Sequence, residues 1–370
     1  MTRLFTLFLA FLLLNGSCSS SFEKEYSLKE KVGQLILIGF RGYTPENDPE
    51  FFRQVKEYHP GGIILYDYDV PLGKAERNIQ NPQQLKDLIS DIKQDFVIPP
   101  FIAIDQEGGK VVRLKQKYGF GKTVSAQYLG NLDNTDSTLF YARSYANELK
   151  SLGVNMNFAP VVDVNTNPDC PIIGKIERSF SADPQIVAKH ASVFIKANRE
   201  NGIISSLKHF PGHGSSLNDS HLGFTDVSST WQELELLPYK ILIDSGLVDM
   251  VMTAHVFNEF WDARYPATLS DNMINQTLRQ QLGFKGIVVS DDMCMGAIDQ
   301  NYSLKNSIEL ALRADVDLLV YSNNGKEYDP FLLEKVSAAI LELVKEGKIT
   351  EERINKSFNK IIQLKNQYNF

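Results

Sequence analysis

The chain has few cysteines and no basic cluster. Only three of its 370 residues are cysteine. Two of them, Cys170 and Cys294, lie in the body of the chain, so a framework of several disulfides is excluded, and their spacing implies no bond. The 38 Lys and Arg residues are outnumbered by 45 Asp and Glu, which gives a net charge of −7. We therefore expect no nucleic-acid partner.

Long hydrophobic runs are also missing. The apolar run near the N-terminus, residues 4–14, is too short to cross a bilayer, and its flanks are typical of a signal peptide over residues 1–18. Cys18 and the serines after it resemble a bacterial lipoprotein cleavage site, although Asn15 stands where such sites usually carry Leu. We expect an exported protein, lipidated at Cys18 and attached to a membrane facing the periplasm or cell surface. Plain secretion is the alternative, and residues 19–27 form a short linker.

Eight apolar, strand-like runs dominate the remaining sequence, and near-continuous Val, Ile and Leu suit parallel strands buried on both faces. Eight strand–helix repeats predict an α/β fold, a single-domain (β/α)8 TIM barrel over residues 28–370. An open doubly wound sheet is the alternative, but no Gly-x-Gly-x-x-Gly follows the first run. The runs are Val32–Phe40, Gly62–Tyr66, Pro100–Asp105, Val154–Val164, Gly202–Phe210, Val248–Val256, Gly286–Asp291 and Val316–Ser322.

Helical patterns separate these runs, and Gly347 divides the last 41 residues into two further predicted helices. The predicted helices between the runs include Pro82–Gln94, Ser137–Leu152, Pro184–Asn201, Thr230–Ser245, Asp271–Leu282 and Ser303–Ala314.

The most informative stretch is Lys208–Gly214 (KHFPGHG), followed by Asp219 and His221. A carboxylate two residues from an imidazole can orient the ring and stabilise its protonated form, which suits proton transfer. His209, His213, Asp219 and His221 are also residue types that bind metal ions, so a metal site is the alternative interpretation of this stretch. The Pro and Gly residues between them argue against a helical metal face, so we expect no metal site.

Polar residues also follow the other predicted strands. In a barrel, the C-terminal ends of the strands meet at one face, where active sites lie. These residues are therefore expected to share a pocket: Asp105, Glu107 and Arg113 after the third run, Asp163, Asn165 and Arg178 after the fourth, Lys208 and His209 after the fifth, His255 after the sixth, and Asp291 and Asp292 after the seventh.

These motifs together resemble those of bacterial beta-N-acetylhexosaminidases of glycoside hydrolase family 3. Asp-Gln-Glu-Gly-Gly, Arg-Ser-Phe, the KHFPGHG block, Asp-Ser-His and Ser-Asp-Asp-Met occur in that family's order over about residues 28–365. Lys110, where many relatives have Arg, is a departure at the pocket edge. The resemblance implies a retaining hydrolase that removes terminal N-acetylglucosamine from peptidoglycan fragments or chitin-derived sugars without a cofactor. A monomer is the default expectation.

The resemblance also implies residue roles. Asp291 matches the family's nucleophile and His221 its proton donor, with Asp219 holding the ring. From the residues alone, a helix N-cap is the alternative for Asp291, although Asp292 is the better cap candidate. The loop of residues 212–223 is predicted to close over the substrate and bring His221 into reach. Substrate binding is expected from Asp105, Arg113, Arg178, Lys208 and His209, while His213 is expected to brace its own loop and His255 to line the pocket floor.

Four other functions stay open at this point. A phosphorylase of the same family is one, because a neutral His donor repels phosphate less than a carboxylate does. A beta-glucosidase is less favoured, because relatives of that type lack the Asp-x-His loop. A carbohydrate-binding barrel without turnover has no need of Asp291, Asp219 and His221 together. A metallohydrolase would lose its activity in EDTA.

Overall fold

A closed barrel of eight parallel strands forms the centre of the molecule, in the computed structural model, which describes residues 25–370. The last strand, Leu318–Tyr321, pairs with the first, Ile36–Gly39, with Leu319 opposite Ile36, and this pairing closes the barrel. The predicted (β/α)8 barrel is confirmed, while the predicted signal peptide and Cys18 lie outside the described residues. The strands are β1 Ile36–Gly39, β2 Gly62–Ile64, β3 Phe101–Ile104, β4 Met156–Asn157, β5 Ile204–Phe210, β6 Met250–Thr253, β7 Ile287–Asp292 and β8 Leu318–Tyr321.

Helices surround this barrel. The α-helices are Leu28–Gln34, Pro49–Tyr58, Pro82–Gln94, Ala126–Leu132, Thr135–Leu152, Pro184–Glu200, Leu237–Asp244, Gly296–Asp299, Leu304–Arg313, Leu332–Lys345 and Glu351–Gln367. A π-helix spans Asn272–Gln281, and short 3-10 turns span Pro45–Asn47, Gln116–Tyr118, Glu233–Leu236 and Ala267–Leu269. Within residues 25–370, no helix has the length and apolar character needed to span a bilayer.

Two small strand pairs lie outside the barrel. Gln106–Gly108 pairs antiparallel with Val111–Val112, directly after β3. Thr225–Asp226 pairs in parallel with Val256–Phe257, which joins the loops that follow β5 and β6. Both pairs stiffen loops at the C-terminal end of the barrel, where the candidate site residues lie.

The helix boundaries follow capping chemistry that the sequence displays. Asn81 Oδ1 accepts a hydrogen bond from the Gln84 main-chain nitrogen at 3.0 Å, and Pro82 takes the first helical position, where no donor is needed. Asp183 caps the helix at Pro184 in the same way, at 2.8 Å from the Gln185 nitrogen. These two helix starts are where the sequence predicted them.

Two predicted strands were too long. The run at Val32 begins as the end of the helix Leu28–Gln34. The last three residues of that helix are as fully buried as those of β1, so burial alone does not mark the boundary between them. The run at Val154 contains only the two-residue β4, since Pro160 has no N–H to donate to a strand ladder. The chain after β4 is nevertheless buried, and it places Asp163 within hydrogen-bond distance of His209.

Candidate active site

A cavity of about 530 Å³ opens at the C-terminal end of the barrel. Side chains from or near four strands form its apolar floor: Ile64, Phe158, Met252 and Val320. The structure brings all eight predicted site residues to this one cavity, namely Asp105, Arg113, Arg178, Lys208, His209, Asp219, His221 and Asp291. These residues are up to 186 positions apart in the sequence, and they meet because the barrel brings the C-terminal ends of its strands together.

Asp105 lies at the end of β3 between two cations. Its Oδ1 accepts a hydrogen bond from Lys208 Nζ at 2.8 Å, and its Oδ2 accepts one from an Arg113 Nη at 3.0 Å. Burial alone raises the pKa of Asp105, but the charges of Lys208 and Arg113 outweigh it and hold that pKa well below its usual range. Asp105 is therefore an ionised acceptor at every working pH.

Glu107 and Arg178 form a buried, two-pronged ion pair. Arg178 donates from Nε and Nη2 to the two oxygens of Glu107, both at 2.8 Å, and from Nη1 to the Ile172 carbonyl at 2.8 Å. Lys208 Nζ lies 2.6 Å from Glu107 Oε1, so it contacts both carboxylates of this wall. Most of the Arg178 donors are thus used by the protein, and its main effect is to fix the wall.

His209 is held by a buried carboxylate. Its Nδ1 lies 2.7 Å from Asp163 Oδ2, and its Nε2 lies 3.2 Å from Arg178 Nη2. Because a guanidinium only donates, Nε2 must be the acceptor, and the proton of a neutral His209 resides on Nδ1, facing Asp163. Asp163 Oδ1 also accepts from the main-chain nitrogen of His213 at 2.8 Å. Asp163 therefore joins the loops after β4 and β5.

The Asp219–His221 pair lies on the pocket wall. His221 Nδ1 is 2.7 Å from Asp219 Oδ1, and no described residue provides a hydrogen-bond partner for His221 Nε2. Partial desolvation lowers the pKa of His221, but its hydrogen bond with Asp219 and the charge of Asp291 outweigh that effect and raise the pKa above 6.5. The ring is thus held in one orientation with one nitrogen free to exchange a proton.

Asp291 lies at the mouth end of β7, which is apolar from Ile287 to Val289. Its Oδ1 accepts a hydrogen bond from the Asp292 nitrogen at 2.8 Å. Burial raises the pKa of Asp291, but the surrounding histidines His255, His209 and His221 outweigh burial and hold it below 3.8. An ionised, partly desolvated carboxylate at a pocket wall has the properties of a nucleophile.

Asp292 does not cap a helix, so that expectation was wrong. The short helix beginning at Gly296 has Met295 as its N-cap residue. Asp292 Oδ1 instead accepts hydrogen bonds from the main-chain nitrogens of Ser322, at 2.8 Å, and Cys294, at 3.0 Å. Asp292 thereby fastens the loop after β7 to the end of β8, because its carboxylate satisfies donors from both.

His255 does not line the pocket floor, so that expectation was also wrong. Met252, which lies in β6 three residues earlier in the chain, lines the cavity instead. The His255 ring is buried, with Nδ1 2.8 Å from the Thr268 hydroxyl and Nε2 3.0 Å from the Asp292 carbonyl. Its effect on Asp291 is electrostatic and indirect.

The loop after β5 is fastened by the ring of His213. Nδ1 of His213 lies 2.6 Å from the Ser216 hydroxyl, and Nε2 lies 3.0 Å from the Ser220 hydroxyl. Burial lowers the pKa of His213 to about 4, so the ring is neutral at working pH. His213 braces its own loop, as expected.

His221 already lines the cavity in this structure, and its carbonyl accepts a hydrogen bond from the Gly296 nitrogen at 3.2 Å. The loop's closure stays a prediction.

The sequence matches a known family model over almost its whole described length. The model is the glycosyl hydrolase family 3 N-terminal domain, and it covers residues 27–364. The chain belongs to glycoside hydrolase family 3.

Two relatives of this family 3 chain are both named beta-hexosaminidases. It is 31% identical over 376 aligned residues to a beta-hexosaminidase A of Pseudoalteromonas piscicida, covering 91% of this chain and 60% of that protein. It is 36% identical over 271 residues to a beta-hexosaminidase of Vibrio cholerae, covering 72% of this chain and 76% of the relative. The chain thus spans less than two thirds of the first relative's length.

Solved structures agree with the family 3 assignment. A beta-N-acetylglucosaminidase of this family from a Paenibacillus species matches with a TM-score of 0.84 and 34% identity, covering 93% of this chain and 63% of that one. A beta-N-acetylhexosaminidase from Beutenbergia cavernae matches with a TM-score of 0.82 and 26% identity, covering 92% of this chain and 99% of that one.

Sequence reasoning left some residues of this family 3 site without a role. Glu107 was expected in the pocket but was given no role, yet it holds both Arg178 and Lys208. Asp163 was noted at a strand end, yet its contact with His209 was not expected. Within residues 25–370, no three His, Cys, Asp or Glu side chains are arranged to hold a metal ion, and Cys170 and Cys294 are free thiols.

Proposed function

We propose that the chain is a retaining beta-N-acetylglucosaminidase that releases terminal N-acetylglucosamine through a covalent intermediate on Asp291. One observation carries the proposal: an ionised Asp291 and a carboxylate-held imidazole, His221, line the same cavity. That cavity, about 530 Å³, is within the usual size range of small-molecule sites and has room for a sugar ring. The names of the relatives in Pseudoalteromonas, Vibrio and Paenibacillus support the same activity.

In the first step, a carboxylate oxygen of Asp291 attacks the anomeric carbon and the bond to the leaving oxygen breaks. His221 Nε2–H gives its proton to that oxygen, so the leaving group departs as an alcohol. Asp219 stabilises the imidazolium before transfer and holds the neutral ring afterwards. The product of this step is a glycosyl ester of Asp291.

In the second step, neutral His221 accepts a proton from water at Nε2 as the water oxygen attacks the anomeric carbon. The ester bond to Asp291 breaks, and its carboxylate is restored. Each displacement inverts the anomeric centre, so the two together retain its configuration. His221 ends protonated, ready for the next cycle.

Substrate hydroxyls have donors and acceptors ready in the wall. The buried Nε of Arg113 has no hydrogen-bond partner in the described chain, which is costly unless a ligand accepts from it. Asp105 is an ionised acceptor, and Lys208 holds it from the buried side with only 2% of its side chain exposed. We assign the sugar-hydroxyl contacts to Arg113, Asp105 and Lys208. Arg178 and His209 fix their positions, because both ring nitrogens of His209 are already used by Asp163 and Arg178.

The test is hydrolysis of para-nitrophenyl N-acetyl-beta-glucosaminide beside the plain beta-glucoside. We expect release from the N-acetyl sugar, and a loss of at least about a thousandfold in kcat for Asp291→Ala with the fold intact. Asp244→Ala, on an exposed helix end with 59% of its side chain accessible, is the matched control. Release from the plain glucoside alone would indicate a beta-glucosidase, and release from neither would contradict the hydrolase proposal.

Phosphorolysis is the second candidate, because the proton donor is an imidazole rather than a carboxylate. A carboxylate at this place would repel phosphate, whereas neutral His221 does not. Formation of N-acetylglucosamine 1-phosphate in phosphate buffer, in preference to free sugar, would establish that activity. Activity that disappears in EDTA would instead indicate a metallohydrolase.

We also propose that the protein is exported and attached to a membrane through lipidated Cys18, acting on peptidoglycan fragments or chitin-derived sugars. The support is the short apolar run before Cys18 and the serines after it. Incorporation of labelled palmitate into the full chain should be lost in Cys18→Ser and kept in Cys294→Ser. Equal labelling of both variants would contradict the anchor.

A further inference from the structure

Three large apolar side chains lie exposed in the loop between β2 and the helix Pro82–Gln94. We call residues 66–74 the rim loop. Within it, Tyr68, Val70 and Leu72 are 42%, 54% and 49% exposed. Tyr68 and Val70 also line the cavity that contains Asp291. Because they are both exposed and part of the lining, they form the rim of the pocket rather than its floor.

The first anchor of the rim loop is a buried ion pair. Asp69 has no exposed surface, and it accepts two hydrogen bonds from Arg41, at 2.7 and 2.9 Å. Arg77, also fully buried, donates a third at 2.8 Å. The main chains of Asp69 and Lys74 exchange two hydrogen bonds that close the loop on itself. Asp69, which lies between Tyr68 and Val70, is therefore fixed in the protein interior.

The second anchor comes from the loop after β8. Asn324 Oδ1 accepts from the Val70 nitrogen at 3.0 Å, and Asn324 Nδ2 donates to the Tyr68 carbonyl at 2.9 Å. Arg77 donates to the neighbouring Asn323 carbonyl at 2.7 Å. The rim loop thus has its main chain tied on both sides of Asp69. Because the main chain is fixed, only side-chain conformational entropy remains to be lost when a ligand packs against these apolar groups.

The shape of the cavity decides which part of a substrate meets this rim. The floor is closed by strand side chains such as Ile64 and Val320, so the sugar that is transferred occupies the inner end. Its anomeric carbon must lie beside Asp291 and His221, and the leaving group can extend only toward the open end. Tyr68 and Val70 are there, and the apolar face of a pyranose ring is the complement of an aromatic ring and a branched aliphatic side chain.

We infer that Tyr68 and Val70 form the leaving-group subsite and determine specificity for substrates whose leaving group is itself a sugar. This inference rests on the proposed hydrolase function. Tyr68 contacts the C–H face of the leaving sugar, Val70 borders it, and Asn324 positions both through their main chains. The contact is made only with the leaving group, so it changes the selectivity between substrates and not the chemistry at Asp291.

The experiment compares two substrates. N,N′-diacetylchitobiose has a sugar as its leaving group, whereas the leaving group of N-acetyl-beta-glucosaminyl fluoride is a fluoride ion. Tyr68→Ala should lower kcat/KM for the disaccharide about tenfold and leave the fluoride within about twofold. Val70→Ser should have a smaller effect of the same selectivity. Tyr128→Ala is the matched control, since Tyr128 is 47% exposed and does not line the cavity.

Each outcome separates the inference from the function on which it rests. Turnover of both substrates by the wild-type chain, with equal losses or no loss in Tyr68→Ala, would overturn the subsite and leave the hydrolase standing. Turnover of neither substrate by the wild-type chain would overturn both. A selective loss in Tyr128→Ala as well would also overturn the subsite, because the effect would then not belong to the rim.

Discussion

Asp219 Oδ1 lies 2.7 Å from Nδ1 of His221 and accepts the main-chain N–H of the same residue at 2.9 Å. One carboxylate oxygen thus holds both the ring and the backbone of its partner. The ring tautomer follows from this contact, because the Nδ1 proton faces Asp219 and the exchangeable proton is left on Nε2. In the proposed mechanism, Asp219 acts on the reaction through His221.

Asp219→Asn should move the alkaline limb of the pH profile to lower pH. In the wild-type chain, kcat/KM falls as pH rises through the raised pKa of His221, because the proton donor is lost. Asparagine removes an anion that raises this pKa, so His221 loses its proton at a lower pH. The acid limb belongs to Asp291, whose pKa is held below 3.8, and it should move little. The measurement is kcat/KM from about pH 3 to pH 9, over which the alkaline limb is complete and the start of the acid limb is visible.

Leaving-group chemistry provides the control for that variant. A 2,4-dinitrophenyl leaving group needs little protonation, so Asp219→Asn should affect its release several-fold less than the release of a sugar. An alkaline limb at unchanged pH, or equal losses on both substrates, would contradict a role through His221. Such a result would point to a general effect of Asp219 on the loop.

The buried Glu107–Arg178 pair should be far more sensitive to substitution than an exposed pair. Arg178 and Glu107 are 8% and 5% exposed, and lysine cannot reproduce the two-pronged contact. Arg178→Lys should lower the free energy of unfolding by about 2–4 kcal/mol, because polar groups of the wall are left buried and unpaired. Urea unfolding at pH 7 measures this change.

Arg143 offers the matched comparison. It contacts Glu200 at 3.0 Å, but the two side chains are 50% and 52% exposed. Arg143→Lys should change the free energy of unfolding by less than about 0.5 kcal/mol. If both variants lose the same stability, burial is not what gives the Glu107–Arg178 pair its importance.

The loop that carries His221 should become more protected when the pocket is filled. Its base is fastened by His213, Ser216 and Ser220, whereas Leu217 at its tip is 63% exposed. Amide hydrogen exchange of residues 215–223 should slow on addition of N-acetylglucosamine, while that of residues 336–343, in the helix Leu332–Lys345 away from the cavity, should not change. Equal exchange with and without the sugar would contradict closure.

The barrel was predictable because each strand had a strong local pattern. The runs ending at Asp105, Lys208 and Asp291 are apolar on both faces, so only a sheet covered by helices can bury them. The same patterns placed the polar residues at strand ends, and parallel strands in a barrel bring those ends together. This is why eight residues from distant parts of the chain were expected in one pocket.

The remaining features depend on packing that no local pattern encodes. Glu107 sits in an exposed-looking, glycine-rich motif, and only the fold shows that it neutralises two buried cations. His255 follows a strand like the catalytic candidates, yet the loop bearing Thr268 covers it. Asn324 lies 254 residues from Val70, and its amide chemistry gives no hint of that partner. Side-chain reach and loop placement decide these cases.

Glu235 is a buried acid beside Gly212, at the start of the loop of residues 212–223. Glu235 has no exposed surface, it accepts the Gln232 nitrogen at Oε1 at 3.2 Å, and its Oε2 has no partner in the described chain. Burial raises its pKa to about 8. Between about pH 4.5 and 8, folded Glu235 therefore keeps a proton that the unfolded chain has lost. Stability contributed by this group is complete below the lower value and is lost as pH rises to the higher one.

Glu235→Gln should remove that loss. We expect the stability of the variant, relative to the wild-type chain, to rise by about 1.4 kcal/mol per pH unit between pH 5.5 and 7.5 and to level off above pH 8. Urea unfolding at four pH values measures it, with the exposed neighbour Glu233→Gln as the control. A constant difference between variant and wild type across this range would show that Glu235 does not titrate there. Because the Gly212 backbone packs against this carboxyl, the same titration should loosen the loop that carries His221 above pH 8.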